Sequence, residues 1–209
     1  MRIKKIIDIS LPIDTKTATF PGDTPFSFAM IEGDLCNVSS FSMSPHVGTH
    51  TDSYGHVEPL TQNNRSGTFS LEPFIGPCQV IELPPETCAI TAKLLKDKKV
   101  VLPRILFKTK KELEYSTFEY HGAYLTLDAV DFLAKRKVKL VGVDSPSVDP
   151  VDSKTLDAHH ALIRNRLVWL ENLDLTQVKQ GEYFLSALPI KFIPLEAAPV
   201  RAVLLELDK

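Results

Sequence analysis

Eleven residues, HVGTHTDSYGH at positions 46–56, constrain this chain more than any other stretch: they hold three of its six histidines together with an aspartate. Ionisable groups packed so densely need partners, because a buried polar group left alone costs free energy. Two backbones compete for the stretch. On a helix, His46 and His50 would share a face at i and i+4, but Pro45, Gly48 and the β-branched Val47, Thr49 and Thr51 all oppose that conformation. On a strand, side chains alternate, so His46, Gly48, His50 and Asp52 share one face and Val47, Thr49 and Thr51 the other. The strand reading also gives Gly48 a purpose, as a notch between two imidazoles through which an ion reaches both. Ser53, Tyr54 and Gly55 then turn the chain and return His56 toward the cluster. Imidazole nitrogen and carboxylate oxygen are donors preferred by zinc, manganese and similar divalent ions. The stretch therefore reads as a ligand-bearing strand.

One such strand leaves an ion under-coordinated. Further donors can come from His121, from the adjacent His159 and His160, or from acidic residues near strand ends. Neighbouring residues on a helix point about 100° apart, so at most one of the histidine pair reaches the ion. Glu171 closes the apolar run LVWLE, where a buried carboxylate is costly unless paired or metal-bound. His121, inside FEYHGAY, reads as structural, and Asp144, Asp149, Asp152 and Asp157 read as loop formers and caps.

Strand-like segments recur at 5–11, 40–44, 78–83, 100–107, 139–145, 166–171, 183–189 and 200–207, rich in Val, Ile and Leu and bounded by Pro, Gly and Asp. Helical patterns are fewer: 126–137, with a Thr cap and a cationic end, then 91–98, and a short segment at 153–165 started by Ser153. The expected class is therefore α/β, with a mixed, curled or barrel-like β-sheet and flanking helices. A chain of 209 residues, 44% hydrophobic, fits one domain over 1–209, and no repeat or linker divides it. A net charge of −2 argues against nucleic-acid binding, and no apolar run nears the roughly 20 residues of a membrane-spanning helix. The first residues read as a β-strand and not a signal peptide. Cys36, Cys78 and Cys88, odd in number and without metal-type spacing, are expected to be reduced thiols of a cytoplasmic protein. No G-x-S-x-G elbow supplies a serine nucleophile.

HVGTHTDSYGH resembles the H-x-G-T-H-x-D signature, with a later histidine, of the metal-dependent cyclase/formamidase family. FPGDTPF near the start, GVDSPSVDPVDSKTLDAHHALI, LENLDL and ALPIKFIPLEAAPVRAVLLE are similar to its formamidase branch, so the likeness runs from about residue 5 to 207. The resemblance implies two divalent ions per subunit, usually zinc. His46, His50 and Asp52 would hold one with Glu171. Asp52 and Glu171 would bridge to a second, held also by His159, which is preferred to His160 because the family's ligand lies twelve residues before the glutamate. His56 would be the acid/base. A homodimer and a swivelling β/β/α fold are implied, as is hydrolysis of an aryl formamide of the N-formylkynurenine type in tryptophan breakdown. Phe20 stands where the branch usually has a pocket-lining Trp, and Tyr54 where Pro is common; Phe20 keeps an aromatic surface for the substrate, and Tyr54 is expected to reshape the pocket mouth. The same scaffold could instead open isatin or a lactone, or hold metal without catalysis.

Overall fold

The computed structural model describes residues 2–208. Its strands, in chain order, are β1 (Ile3–Asp8), β2 (Ser27–Ile31), β3 (Val38–Ser42), β4 (His50–Asp52), β5 (Ile75–Glu82), β6 (Ala89–Ile90), β7 (Arg104–Lys108), β8 (Tyr124–Leu125), β9 (Leu140–Val143), β10 (Val168–Leu170), β11 (Gly181–Ser186), β12 (Ala197–Pro199) and β13 (Val203–Leu207). The helices are α1 (Ala92–Lys96), α2 (Leu127–Lys135) and α3 (Asp157–Arg164). Seven strands form one mixed sheet in the order β1-β13-β11-β5-β7-β9-β10. Pairing is antiparallel from β1 to β5 and parallel from β5 to β10. The expected α/β class, a mixed sheet with few helices, is the class observed.

The parallel half explains why its strands read as continuous apolar runs. RILFK, LVGV and VWL are buried along their whole length, as strands covered on both faces must be. Alternation assigns each residue to a side: Ile105, Phe107, Val141, Val143 and Trp169 pack with residues of α2 and α3. Leu106, Leu140, Val168 and Leu170 pack oppositely, with Phe74, Val80, Leu185 and Leu204. The sheet curls. Beyond its two outermost strands, Ser10 and Leu173 form an antiparallel bridge, and Asp174 N–H donates to the Ile9 carbonyl at 2.9 Å.

Three local expectations differ from the structure. Segment 40–44 belongs to the β2–β3 hairpin, outside the main sheet. In 100–107 the strand begins only after Pro103, which has no N–H to give a ladder. The third helix begins at Asp157 and not at Ser153, because Leu156 adopts a left-handed conformation (φ 48°) while Ser153 Oγ accepts from Leu156 N–H at 3.0 Å, closing a turn ahead of the helix.

Just past β9, Asp144 is buried and accepts from Thr109 N–H (2.6 Å), Thr109 Oγ1 (2.7 Å) and Lys110 N–H (2.8 Å). It fastens the start of the long 109–123 connection to the sheet. Asp144→Ala orphans these donors, each worth about 1–3 kcal/mol when buried without a partner. The variant is expected to lose roughly 2–4 kcal/mol in urea unfolding.

Candidate metal centre

A single backbone pairing begins the site. His50 and Glu171 form an isolated antiparallel bridge, His50 N–H to Glu171 O at 3.3 Å and Glu171 N–H to His50 O at 3.1 Å. On its other side β4 pairs with β12, setting Asp52 opposite Ala197. The alternate residues bind the strand to its surroundings. Thr49 Oγ1 donates to Asn172 O (2.5 Å), Thr51 Oγ1 to Trp169 O (2.6 Å), and Val47 is buried.

The strand is shorter than the sequence pattern suggested. Only His50–Asp52 is extended, while His46 rides on the turn before it. Gly48 is therefore not a notch for an ion. It sits at φ +70°, a conformation that favours glycine, and an added Cβ would come within 2.8 Å of Ile13 Cγ1. Its carbonyl accepts from His50 Nδ1 at 2.9 Å.

Six side chains converge. His50, Asp52, His159 and Glu171 are 1–3% exposed, while His46 and His56 join them in lining a cavity of about 510 Å³. The carboxylates divide their oxygens between two sides. Asp52 Oδ1 faces His46 Nδ1 (3.0 Å) and His50 Nε2 (3.5 Å), and Oδ2 faces His159 Nε2 (3.5 Å). Glu171 Oε2 faces His50 Nε2 (3.2 Å), and Oε1 faces His159 Nε2 (3.8 Å). One compact donor group is His50, Asp52 and Glu171; another is His46, Asp52 and His56. The second puts His56 itself within ligand range, its ring 4.6 Å from that of His46 and 5.6 Å from that of His159.

The donor chemistry fits a cation. His50 Nδ1 donates to Gly48 O, and His159 Nδ1 to Asp149 Oδ2 at 2.6 Å. In a neutral ring each Nε2 then carries a lone pair, aimed at carboxylate oxygens. His50 Nε2, His159 Nε2 and Asp52 Oδ1 are all buried without a hydrogen-bond partner. Acceptors facing acceptors are reconciled by protons or by a metal ion. Protonation is strong here. Burial opposes charge on His159, but Asp149 and Asp52 raise its pKa to about 10. Burial likewise opposes charge on His46, which Asp52 and the more distant Glu171 and Asp23 raise to about 9. Burial pulls His56 the other way, helped by the neighbouring His46 and His159, and its pKa falls. Asp52, although buried, is held well below the usual range by His159 and His46.

Three supports were missed in the sequence. Asp149, read as a cap, does cap α3, accepting from Ala158 and His159 N–H at 2.9 and 3.0 Å, and also orients the His159 ring. Trp169 Nε1 donates to Asp52 Oδ2 at 3.2 Å. Glu196 Oε1 lies 3.3 Å from His46 Nε2. Tyr54 is not at the pocket mouth: it stacks on Trp169, with its hydroxyl donating to Leu167 O at 3.3 Å. Phe20 does line the cavity, edge-on to Phe118 at 5.3 Å. His121 lies elsewhere, exposed and lining a second cavity, and His160 is outside the cavity lining.

Residues 7–150 match the Cyclase family model. A kynurenine formamidase of Bordetella pertussis is 38% identical over 98% of this chain and 100% of its own length. A solved structure described as a potential metal-dependent hydrolase with cyclase activity is 25% identical, superposes with a TM-score of 0.83, and covers 97% of this chain and 99% of that one. An isatin hydrolase bound to the product analogue thioisatinate is 20% identical, with a TM-score of 0.84, over 98% of this chain and 93% of that one; at this identity the likeness shows the fold.

Metal binding to the folded state stabilises it by mass action, about 2.7 kcal/mol at a hundredfold excess over Kd. Adding zinc or manganese to metal-stripped protein should therefore raise its melting midpoint by about 5–10 °C. In Asp52→Asn, which removes the charge shared by three imidazoles, the metal-induced rise should vanish in differential scanning fluorimetry.

Proposed function

The chain belongs to the Cyclase family and is, by its likeness to kynurenine formamidases, a hydrolytic enzyme, and from that premise we propose that it converts N-formyl-L-kynurenine to L-kynurenine and formate, a step of tryptophan catabolism. The observation that carries this is the end-to-end likeness to a kynurenine formamidase, which also supports reading 1–209 as one catalytic unit. The alternative of isatin opening rests on fold likeness at lower identity.

His46, His50, Asp52, Glu171 and His159 would hold two divalent ions, zinc by donor preference. Asp52 and Glu171 would contribute to both, since each turns one oxygen toward His50 and the other toward His159. When bound, the ions supply Lewis acidity to the formyl carbonyl and to the attacking water. The chain's own residues do the rest. Phe20 and Phe118 present aromatic faces for the aryl ring. His56, whose pKa is lowered, is neutral and free to take a proton from the water as its oxygen bonds to the formyl carbon. It then gives that proton to the aryl nitrogen as the carbon–nitrogen bond breaks, so the amine leaves neutral. Acid/base work of this kind contributes roughly 10²–10⁴-fold.

We further read the protein as a cytoplasmic homodimer. Its three cysteines are free thiols, which suits a reducing compartment, and no helix among the described residues is long and apolar enough to cross a membrane. The β2–β3 hairpin supports the dimer. Every residue of both strands is exposed, Phe28, Met30, Ile31, Val38 and Phe41 among them. A lone hairpin is marginal in water, and a contiguous apolar surface points to a partner.

N-formylkynurenine hydrolysis, followed by kynurenine absorbance, should stop on chelation and return with zinc or manganese; a folded, metal-loaded sample without turnover overturns the substrate. His56→Ala should lose roughly 10²–10⁴ in kcat while retaining bound metal, whereas His50→Ala should lose both. A fully active His56→Ala refutes its role. Light scattering should give twice the 23.3 kDa chain mass, and Phe28→Asp with Ile31→Asp should shift the mass toward that of one chain.

A further inference from the structure

The 109–123 connection between β7 and β8 contains no helix or strand, and connections of this length in compact folds are usually functional. Its inner side supplies Lys110, Glu114, Phe118 and Glu119 to the wall of the cavity that holds the six convergent side chains. Lys110 Nζ lies 2.5 Å from Glu119 Oε2, both side chains being partly exposed. Lys110 is thus the charged neighbour of Glu119 Oε2. The two form a close ion pair at the cavity wall, and since an ammonium has three N–H donors and a carboxylate two oxygens, the pair can take a further charged partner.

Outside the convergent six, the other charged groups on this wall are tied into local turns or stand exposed. Glu114 Oε1 accepts from Ser116 N–H and Oγ and from Thr117 N–H, tying its own turn. Asp23 accepts from Ser44 Oγ at 2.9 Å. Lys154 is exposed. Lys110 leaves a backbone pinned to buried Asp144, and its ion-pair partner Glu119 follows Phe118, which meets Phe20 edge-on. A cation and an anion therefore stand together beside an aromatic slot.

We propose that Lys110 and Glu119 form the subsite for the amino-acid end of the substrate, Lys110 receiving the α-carboxylate and Glu119 the α-ammonium. This rests on the deformylase reading, because it assigns the part of N-formylkynurenine that the metal centre does not touch. A zwitterion can split the pair and replace one contact with two charge-assisted ones. A neutral aryl formamide, or isatin, offers neither charge, so the subsite selects among substrates that share the same reacting centre.

Two readouts test it: the kcat/KM ratio of N-formylkynurenine to 2-formamidoacetophenone, and the calorimetric Kd ratio of L-kynurenine to 2-aminoacetophenone. Wild-type protein should prefer the amino-acid member of each pair. Lys110→Met and Glu119→Gln should each reduce that preference by roughly 10- to 100-fold, Lys110→Arg should restore most of it, and Lys154→Met should keep it. Equal preference in wild type and both charge-removing variants overturns the subsite. Should wild-type protein hydrolyse neither formamide, the deformylase reading falls, and the binding ratio still decides: selective kynurenine binding lost in Lys110→Met supports the subsite, and its absence in wild type overturns it.

Discussion

The pairing of His50 with Glu171 is the contact on which the rest depends. Two backbone hydrogen bonds join residues 121 positions apart in sequence, and they place an imidazole and a carboxylate side by side in the interior. Neither would be stable there alone. Asp52 is added by the strand's period of two, and His159 by a helix whose start is fixed by Asp149. Each group is buried at a cost that its neighbours of opposite charge offset, so the cluster is stable as a set and not residue by residue.

The sheet determines where this centre opens. Ligands in α/β sheets gather beyond the carboxyl ends of parallel strands, and here the parallel strands β7, β9 and β10 each deliver their successor segment to the cavity. Beyond β7 come Lys110, Phe118 and Glu119; beyond β9 come Pro146, Ser147 and Pro150; beyond β10 come Glu171 and Asn172. The ionisable centre forms one part of the wall and the 109–123 connection another. The wall is thus divided between a hydrogen-bonded strand-and-helix framework and an irregular connection.

How much of this could be read from the sequence depended on distance along the chain. The buried strands were legible because a run such as LVGV or VWL requires cover on both faces. His50 and Asp52 were legible because their period fits a strand that the intervening Thr51 anchors. Gly48 was misread because a pattern of alternating residues cannot reveal a positive φ or the side chain of Ile13 packed against it. Ser153 was misread because Leu156, an ordinary residue in sequence, takes a left-handed conformation in the fold. Trp169 and Glu196 carried no local signal at all: their contacts to Asp52 and His46 span 117 and 150 residues. Asp149 lay only ten residues from His159, but a loop aspartate that caps a helix looks the same whether or not it also orients a histidine.

That last case shows why supporting residues matter to the chemistry. A hydrogen bond donated by one ring nitrogen fixes the tautomer and leaves the other nitrogen as the acceptor, the form in which an imidazole can hold a cation. Asp149 does this for His159 with a carboxylate, and the Gly48 carbonyl does it for His50 with a neutral acceptor. The two imidazoles consequently have unlike backing, a charged carboxylate for one and a neutral carbonyl for the other. Asp52 and Glu171, turning one oxygen to each, span this asymmetry. The two sides of the cluster are thereby made chemically unequal by groups that lie outside the cavity lining.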